Sequence, residues 1–445
     1  MASSTVNKRR MSYFSRIIID ELYPKTVGVP SFNITSLLYF KNLPDLEKLK
    51  ELLNEKIVPL YKFTSIPHEN KADKIWEWKE YVFFNLDNHI IQTEVDDQQG
   101  VLKYLDSLVY RQLPPTKPLW CAHLIKNKSG DSALILEVHH AVCDGISLMK
   151  LAMKLVTKED GTFLEFPSTK VPFQKKKGLL AFFIFLWGVI YSILKNLLLP
   201  LFPADTKHAM KVPLPYTFSN ERKIVFLPVL SLNAVKALKN KTKTTVNDVL
   251  TAALAGAFQR YLESQNDPNY TEKMKVRCVM PYSFPVEDDD LHNNWSLVSA
   301  ALPVGKRYNT AEARLAKVKE TMDAIKSRPE PHIGRALQRF VDKYFPKSFV
   351  SQLSLDLVTK HSLIFTNVPG FNFPVYICGE MVKQIQPVIA NIIPQFSVHT
   401  YNGGVYVNFV ADEKVVKDVE KFCSSYVEEL KSLANEYKID ESITL

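Results

Sequence analysis

The sequence predicts a mixed α/β (α+β) fold built from two halves. Three observations carry this expectation. Short β-type runs alternate with helix-period runs along most of the chain. One uncharged stretch, residues 178–194, interrupts that alternation near the middle. The 445 residues are 46% hydrophobic and 23% charged, which is material for more than one packed core.

Residues 45–56 set Leu46, Leu49, Leu52 and Leu53, followed by Ile57, on one helical face, and residues 101–112 predict a second helix. Residues 123–126 and 132–139 predict strands joined by the polar turn Lys128-Ser129-Gly130-Asp131. Residues 146–156 then read as a buried helix. Beyond the apolar stretch, Pro213, Pro215 and Ser219-Asn220-Glu221 mark an entry linker. Strands are expected at 223–229, 275–280, 297–303 and 363–367, and helices at 231–240, 246–262 and 310–327. Residues 397–411 are the clearest hairpin, with Asn402-Gly403-Gly404 at its turn, and 418–437 closes the chain as a helix. The division is an N-terminal half (1–173), a basic and apolar linker (174–211) and a C-terminal half (212–445), with no repeat relating the halves.

Composition narrows the function. A mean hydropathy of -0.09 excludes a polytopic membrane protein, and 14 glycines argue against repeated Gly-rich phosphate loops. Cys121, Cys143, Cys278, Cys378 and Cys423 are odd in number and widely spaced, against a disulfide framework or structural zinc and for a reducing compartment. Lys8-Arg9-Arg10 is followed by no apolar run, so a secretory signal is not expected, while the acid-free start leaves a mitochondrial presequence open. The net charge of +9 favours an anionic lipid surface or a phosphorylated ligand; without a long basic run interleaved with aromatics, nucleic acid is not expected. The apolar stretch GLLAFFIFLWGVIYSIL follows Lys175-Lys176-Lys177, breaks at Lys195-Asn196 and resumes over 197–202. A bilayer-spanning helix needs about 20 apolar residues. Its aromatics and basic flank suit a bilayer interface; a buried helix is the competing reading.

The strongest chemical signal is His139-His140-Ala141-Val142-Cys143-Asp144-Gly145, at the end of a strand and the start of a helix. Neighbouring strand residues point to opposite faces, so only one imidazole can serve a given cleft. A neutral imidazole can take a proton from a hydroxyl, and with no fixed nucleophile nearby the simplest chemistry is direct acyl transfer. Asp144 can orient the loop and Gly145 permits a tight turn. Three other readings stand beside this one: a metal site from the two histidines and Asp144, against which their opposed directions argue; a thioester at Cys143, which lacks an evident base; and core histidines with no function.

This motif resembles the HHxxxDG signature of coenzyme A-dependent acyltransferases. Residues 84–90 (FNLDNHI), Pro118-Leu119-Trp120 followed by His123-Leu124-Ile125, Val246-Asn247-Asp248-Val249-Leu250, Asn294, and Thr366-Asn367-Val368-Pro369-Gly370 narrow the resemblance to the wax ester synthase/diacylglycerol acyltransferase family. Their order agrees from about Trp76 onward, and the apolar stretch followed by Asp205-Thr206 is similar to the plant and other eukaryotic type. The chain departs from the pattern before about Asp45, at Asn293 where a glycine is frequent, and at Phe371 where a proline is common.

The resemblance implies two chloramphenicol-acetyltransferase-like halves with a tunnel between them. It implies His140 as general base, Asp144 as mainly structural, and His139 and Gly145 as supports of the motif. Trp120, Asn247, Asp248, Asn294, Thr366, Asn367 and Gly370 are candidate substrate-binding positions. For Trp120 plain core and for Asn247 a helix N-cap compete, while Asn367 and Gly370 could offer backbone donors to the reacting carbonyl. Fatty acyl-CoA is expected as a substrate, with no metal and no further cofactor. A long-chain alcohol or diacylglycerol is the expected acceptor; a soluble amine or hydroxyl acceptor, or a non-enzymatic lipid-surface role, are the alternatives. One active site made from both halves cannot straddle a bilayer, so residues 178–202 are expected to insert interfacially. The expected location is the cytosolic face of the endoplasmic reticulum membrane, with a lipid droplet or the plasma membrane as alternatives.

Overall fold

The computed structural model describes residues 10–19, 31–71, 75–164, 179–198, 201–214, 216, 219, 222–284 and 291–445. Lys8, Arg9, the lysines at 175–177, the boundary at 173 and the linker positions Pro215, Asn220 and Glu221 lie outside the described residues.

The first half runs α1 (Tyr13–Ile19), β1 (Asn33–Phe40), α2 (Leu46–Lys56), the hairpin β2 (Ser65–Asn70) and β3 (Ile75–Glu80), β4 (Ile90–Val95), α3 (Gln98–Val109), β5 (Trp120–Asn127), β6 (Ser132–His139) and α4 (Gly145–Leu155). The apolar segment is helix α5 (Leu179–Leu198). The second half follows with β7 (Arg222–Phe226), β8 (Leu230–Ser231), α6 (Leu232–Thr242), α7 (Val246–Ser264), β9 (Val276–Ser283), β10 (Trp295–Leu302), α8 (Ala311–Lys326), α9 (Glu330–Tyr344), α10 (Lys347–Thr359), β11 (Leu363–Val368), β12 (Tyr376–Ile377), β13 (Glu380–Ile389), β14 (Gln395–Tyr401), β15 (Gly404–Asp412) and α11 (Val419–Glu436).

Two large sheets result. One has the order β12-β13-β1-β6-β5-β4, and the other β10-β9-β11-β14-β15-β7 with β8 paired to β15. Strands β12 and β13 follow β11 in the chain yet complete the first sheet, where β13 lies antiparallel to β1 from Ile34↔Ile389 to Phe40↔Val382. The linear division of the chain at 212 is therefore not the division of the sheets.

Strand alternation gives each sheet two distinct faces. In the first, Leu37, Tyr39, Ile125 and Ile135 meet Val101, Leu105 and Val109 of α3. The opposite face, with Ile34, Leu38, Leu134 and Leu136, borders a cavity between the halves. In the second, Phe396 and Phe409 pack against Phe422 and Tyr426 of α11, and α7 is buried along nearly its whole length.

The α7–α11 crossing depends on one glycine. A Cβ at Gly256 would lie 2.1 Å from Glu429 Cδ. Glu429 cannot withdraw: Arg314 donates Nε–H to its Oε1 at 2.8 Å, and Arg260 donates Nε–H to its Oε2 at 3.0 Å. Among the described residues no helix is long and apolar enough to cross a membrane. For Gly256→Ala we expect a loss of about 1–3 kcal/mol in folding stability from overpacking, read as a lower denaturant midpoint; an unchanged midpoint would show that Glu429 yields.

Candidate active site

Strand β6 ends at His139 and helix α4 begins at Gly145, so the motif occupies the turn between them. His139 Nδ1 accepts the Ala141 N–H at 3.1 Å, on the side of the sheet away from the cavity. Burial, then the neighbouring His140, push its pKa down to about 3, so it stays neutral and inert. His140 continues the alternation to the other face. Its N–H donates to Phe32 O at 3.0 Å, and its half-buried ring borders the cavity. Nδ1 is sealed from solvent, which leaves the Nε2 edge for the cavity. Burial holds this imidazole below its ordinary pKa, with the Asp144 charge acting in the opposite sense. A neutral ring with an accessible nitrogen lone pair is the state a general base requires. Cys143 is fully buried and its thiol is pushed up to about 12, so it offers no thiolate for a thioester route.

Asp144 joins the halves. Its Oδ1 accepts the Ser147 N–H at 2.9 Å and caps α4, while its Oδ2 accepts the Asn294 N–H at 2.9 Å. Its own N–H donates to His292 O at 3.1 Å. Ser147 Oγ accepts the His292 N–H at 3.0 Å and lies 2.9 Å from His292 O. The Asn293 side-chain amide donates to His140 O at 2.7 Å and Ala141 O at 3.0 Å. The buried Lys62 ammonium bridges Val142 O and Leu291 O. Residues 291–294 of the second half thus grip the motif turn of the first.

The cavity has a volume of about 1550 Å³ and is predominantly apolar. Both sheets wall it, with Leu134 and Leu136 on one side and Val279, Leu297, Ile364 and Val398 on the other. Ligand pockets are commonly roughly 300–1,000 Å³, so this space suits long chains.

Of the candidate binding positions, Thr366, Asn367 and Gly370 border the cavity. Asn367 Nδ2 donates to Asn247 Oδ1 at 3.2 Å, so two motifs distant in sequence meet. The remaining candidates play other parts. Trp120 is fully buried in the core; its Nε1–H donates to Phe63 O at 2.8 Å and its ring stacks on His89. Asn247 is not the N-cap of α7: Thr245 is, in a capping box whose other member is Asp248, so Asp248 secures a helix end. Asn294 acts through its backbone N–H, on Asp144. The Gly370 N–H is taken by Thr400 Oγ1 at 3.0 Å and is not free for a reacting carbonyl.

Sequence reasoning missed Lys62, Ser147 and His292, and the rings of Trp295 and Phe14, which border the cavity with His140. Only two carried a signal: Ser147 stands three residues after Asp144, and Trp295 follows the Asn293-Asn294 pair. On the far face of the first sheet Cys121, His123 and Glu137 come close enough to share an ion, but Arg111 already pairs with Glu137 and Tyr104 OH lies 3.0 Å from His123 Nδ1.

Removing the Asp144 carboxylate leaves two N–H donors without their acceptor, that of Ser147 buried and that of Asn294 half-buried. Asp144→Ala is expected to cost about 1–3 kcal/mol and to lower the thermal midpoint; a midpoint equal to the parent's would contradict the joining role.

Sequence models of one family match two stretches of the chain. The wax ester synthase/diacylglycerol acyltransferase catalytic domain matches residues 44–181, and the WS/DGAT C-terminal domain matches residues 291–434. Wax ester synthase/diacylglycerol acyltransferase 1 of Arabidopsis thaliana is 24% identical over 93% of this chain and 93% of its own. Number 11 of the same plant is 23% identical over 97% and 96%. Among solved structures, the wax ester synthase/diacylglycerol acyltransferase from Marinobacter aquaeolei VT8 superposes with a TM-score of 0.66 at 18% identity, covering 97% of this chain and 100% of that one. The first condensation domain of the calcium-dependent antibiotic synthetase gives 0.64 at 12% identity, covering 98% and 97%. The shared fold is the two-halved one described above. With its two domains matched in order over well over half of its length, this chain belongs to the wax ester synthase/diacylglycerol acyltransferase family and is an acyltransferase.

Proposed function

We propose that the chain moves a fatty acyl group from acyl-CoA to the hydroxyl of a long-chain alcohol, forming a wax ester, with diacylglycerol as a second acceptor. The observation that carries this reading is the His140 ring on an apolar cavity walled by both sheets. Nε2 takes the hydroxyl proton as the oxygen attacks the thioester carbonyl. The tetrahedral intermediate then collapses, the C–S bond breaks, and the departing thiolate takes the proton back from Nε2–H. No acyl-enzyme forms and no further cofactor takes part. Apolar walls hold both chains and exclude water, which favours esterification over hydrolysis of the thioester. Asp144 and Asn293 hold the turn that aims the ring.

The reading includes a lipid surface, at the cytosolic face of the endoplasmic reticulum membrane. Helix α5 supports it by being amphipathic in the reverse sense for a soluble protein. Its polar stripe faces inward: Ser192 is fully buried, Lys195 pairs with Glu330, and Asn196 lies against Gly334 of α9. Phe183, Phe185, Trp187, Leu194 and Leu197 face outward. Buried residues normally include the apolar ones, so this inversion needs an apolar partner outside. Strands β1 and β13, one from each half, share a sheet, which supports an arrangement with both halves on one side of that membrane.

The direct test is acyl transfer by His140→Ala with acyl-CoA and fatty alcohol. We expect a fall of about 10²–10⁴-fold in kcat with acyl-CoA binding retained; parent-like turnover would reject the base. Because burial lowers the His140 pKa and the neutral ring is the active form, parent activity should persist as pH falls through the ordinary imidazole range and fail only below it. A profile halving at or above that range would contradict the assignment. Binding to anionic vesicles should weaken in Trp187→Glu/Leu194→Glu, and unchanged binding would remove α5 as the docking element.

A further inference from the structure

Helix α1 is far from the motif in sequence, yet it walls the cavity beside the reactive imidazole. The Phe14 ring stacks on Trp295, centroids 3.7 Å apart and planes 21° apart. The Trp295 ring centroid is 6.1 Å from that of His140. All three rings border the one cavity. The stack is fastened at two points. Fully buried Ser15 Oγ accepts from Asn293 Nδ2 at 3.0 Å, the same amide that holds His140 O and Ala141 O. Arg16 forms an ion pair with Asp342 of α9.

Two stiff, stacked planes cannot fold aside as aliphatic side chains can. A substituent on the carbon bearing the acceptor hydroxyl would meet this wall once that hydroxyl reached His140, whose ring lies beside Trp295. We infer that the Phe14–Trp295 stack determines acceptor specificity: it admits a slim primary alcohol and turns away one branched at the reacting carbon. This rests on His140 being the base that receives the acceptor.

The test is a competition assay with one acyl-CoA and an equimolar pair of acceptors, a straight-chain primary alcohol and its secondary isomer of equal carbon number. Phe14→Ala should raise the ratio of secondary to primary ester by about tenfold or more, whatever happens to total turnover. Trp295→Leu, which removes the other ring, should move the ratio in the same direction and serves if Phe14→Ala does not fold. An unchanged ratio in the folded variants, including a proportional loss on both alcohols, would reduce the stack to a structural role and overturn the inference. A parent protein that esterifies neither alcohol would instead defeat the transferase reading, and the inference with it.

Discussion

The site depends on the grip that residues 291–294 hold on the motif turn. Asp144, Ser147, Lys62 and Asn293 make that grip, and nearly every bond in it crosses from one half to the other. Its strength comes from burial. Hydrogen bonds to charged groups contribute about 1.5–3 kcal/mol each, and a donor stranded out of water costs a comparable amount. The halves therefore cannot part at this point without exposing or stranding charged groups. The turn that aims His140 is the same turn that closes the seam, so aiming the ring and closing the cavity are one event.

Strand exchange reinforces this. Pairing β13 with β1 makes the first sheet partly a product of the second half, so the cavity walls are fixed by backbone ladders as well as by side chains. Alternation along β6 then separates the two histidines. His139 faces inward and is held neutral by burial; His140 faces the cavity with its Nδ1 edge sealed. One strand thus places one imidazole in the core and one on the cavity from adjacent positions.

Much of this was legible in the sequence. The motif turn, the hairpin expected at 397–411 and helices α7, α8 and α11 follow from hydrophobic period and turn residues. The central pair β1 and β13 does not. Their partnership joins opposite ends of the chain, and Pro387 with several polar residues masks 380–389 as a strand. The proline is tolerated because β12 covers only the start of β13, leaving the Pro387 side without a partner strand. Helix α9 is hidden by Pro331 and Gly334, although proline is acceptable in a first helical turn. Among site residues, types were visible but duties were not. Asp248 has the chemistry of a binding group and caps a helix; Gly370 has a free-looking amide that Thr400 occupies. Such assignments depend on which neighbour the fold supplies, and local sequence does not contain that neighbour.

The central claim is that the His140 Nε2 edge meets the acceptor hydroxyl inside a tunnel shared by both halves. A crystal structure with a non-hydrolysable acyl-CoA thioether and a long-chain alcohol tests it most directly. The account predicts the alcohol oxygen within hydrogen-bond reach of Nε2, its chain lying between the two sheets. An alcohol bound elsewhere, or a ring presenting Nδ1 to the ligand, would contradict it.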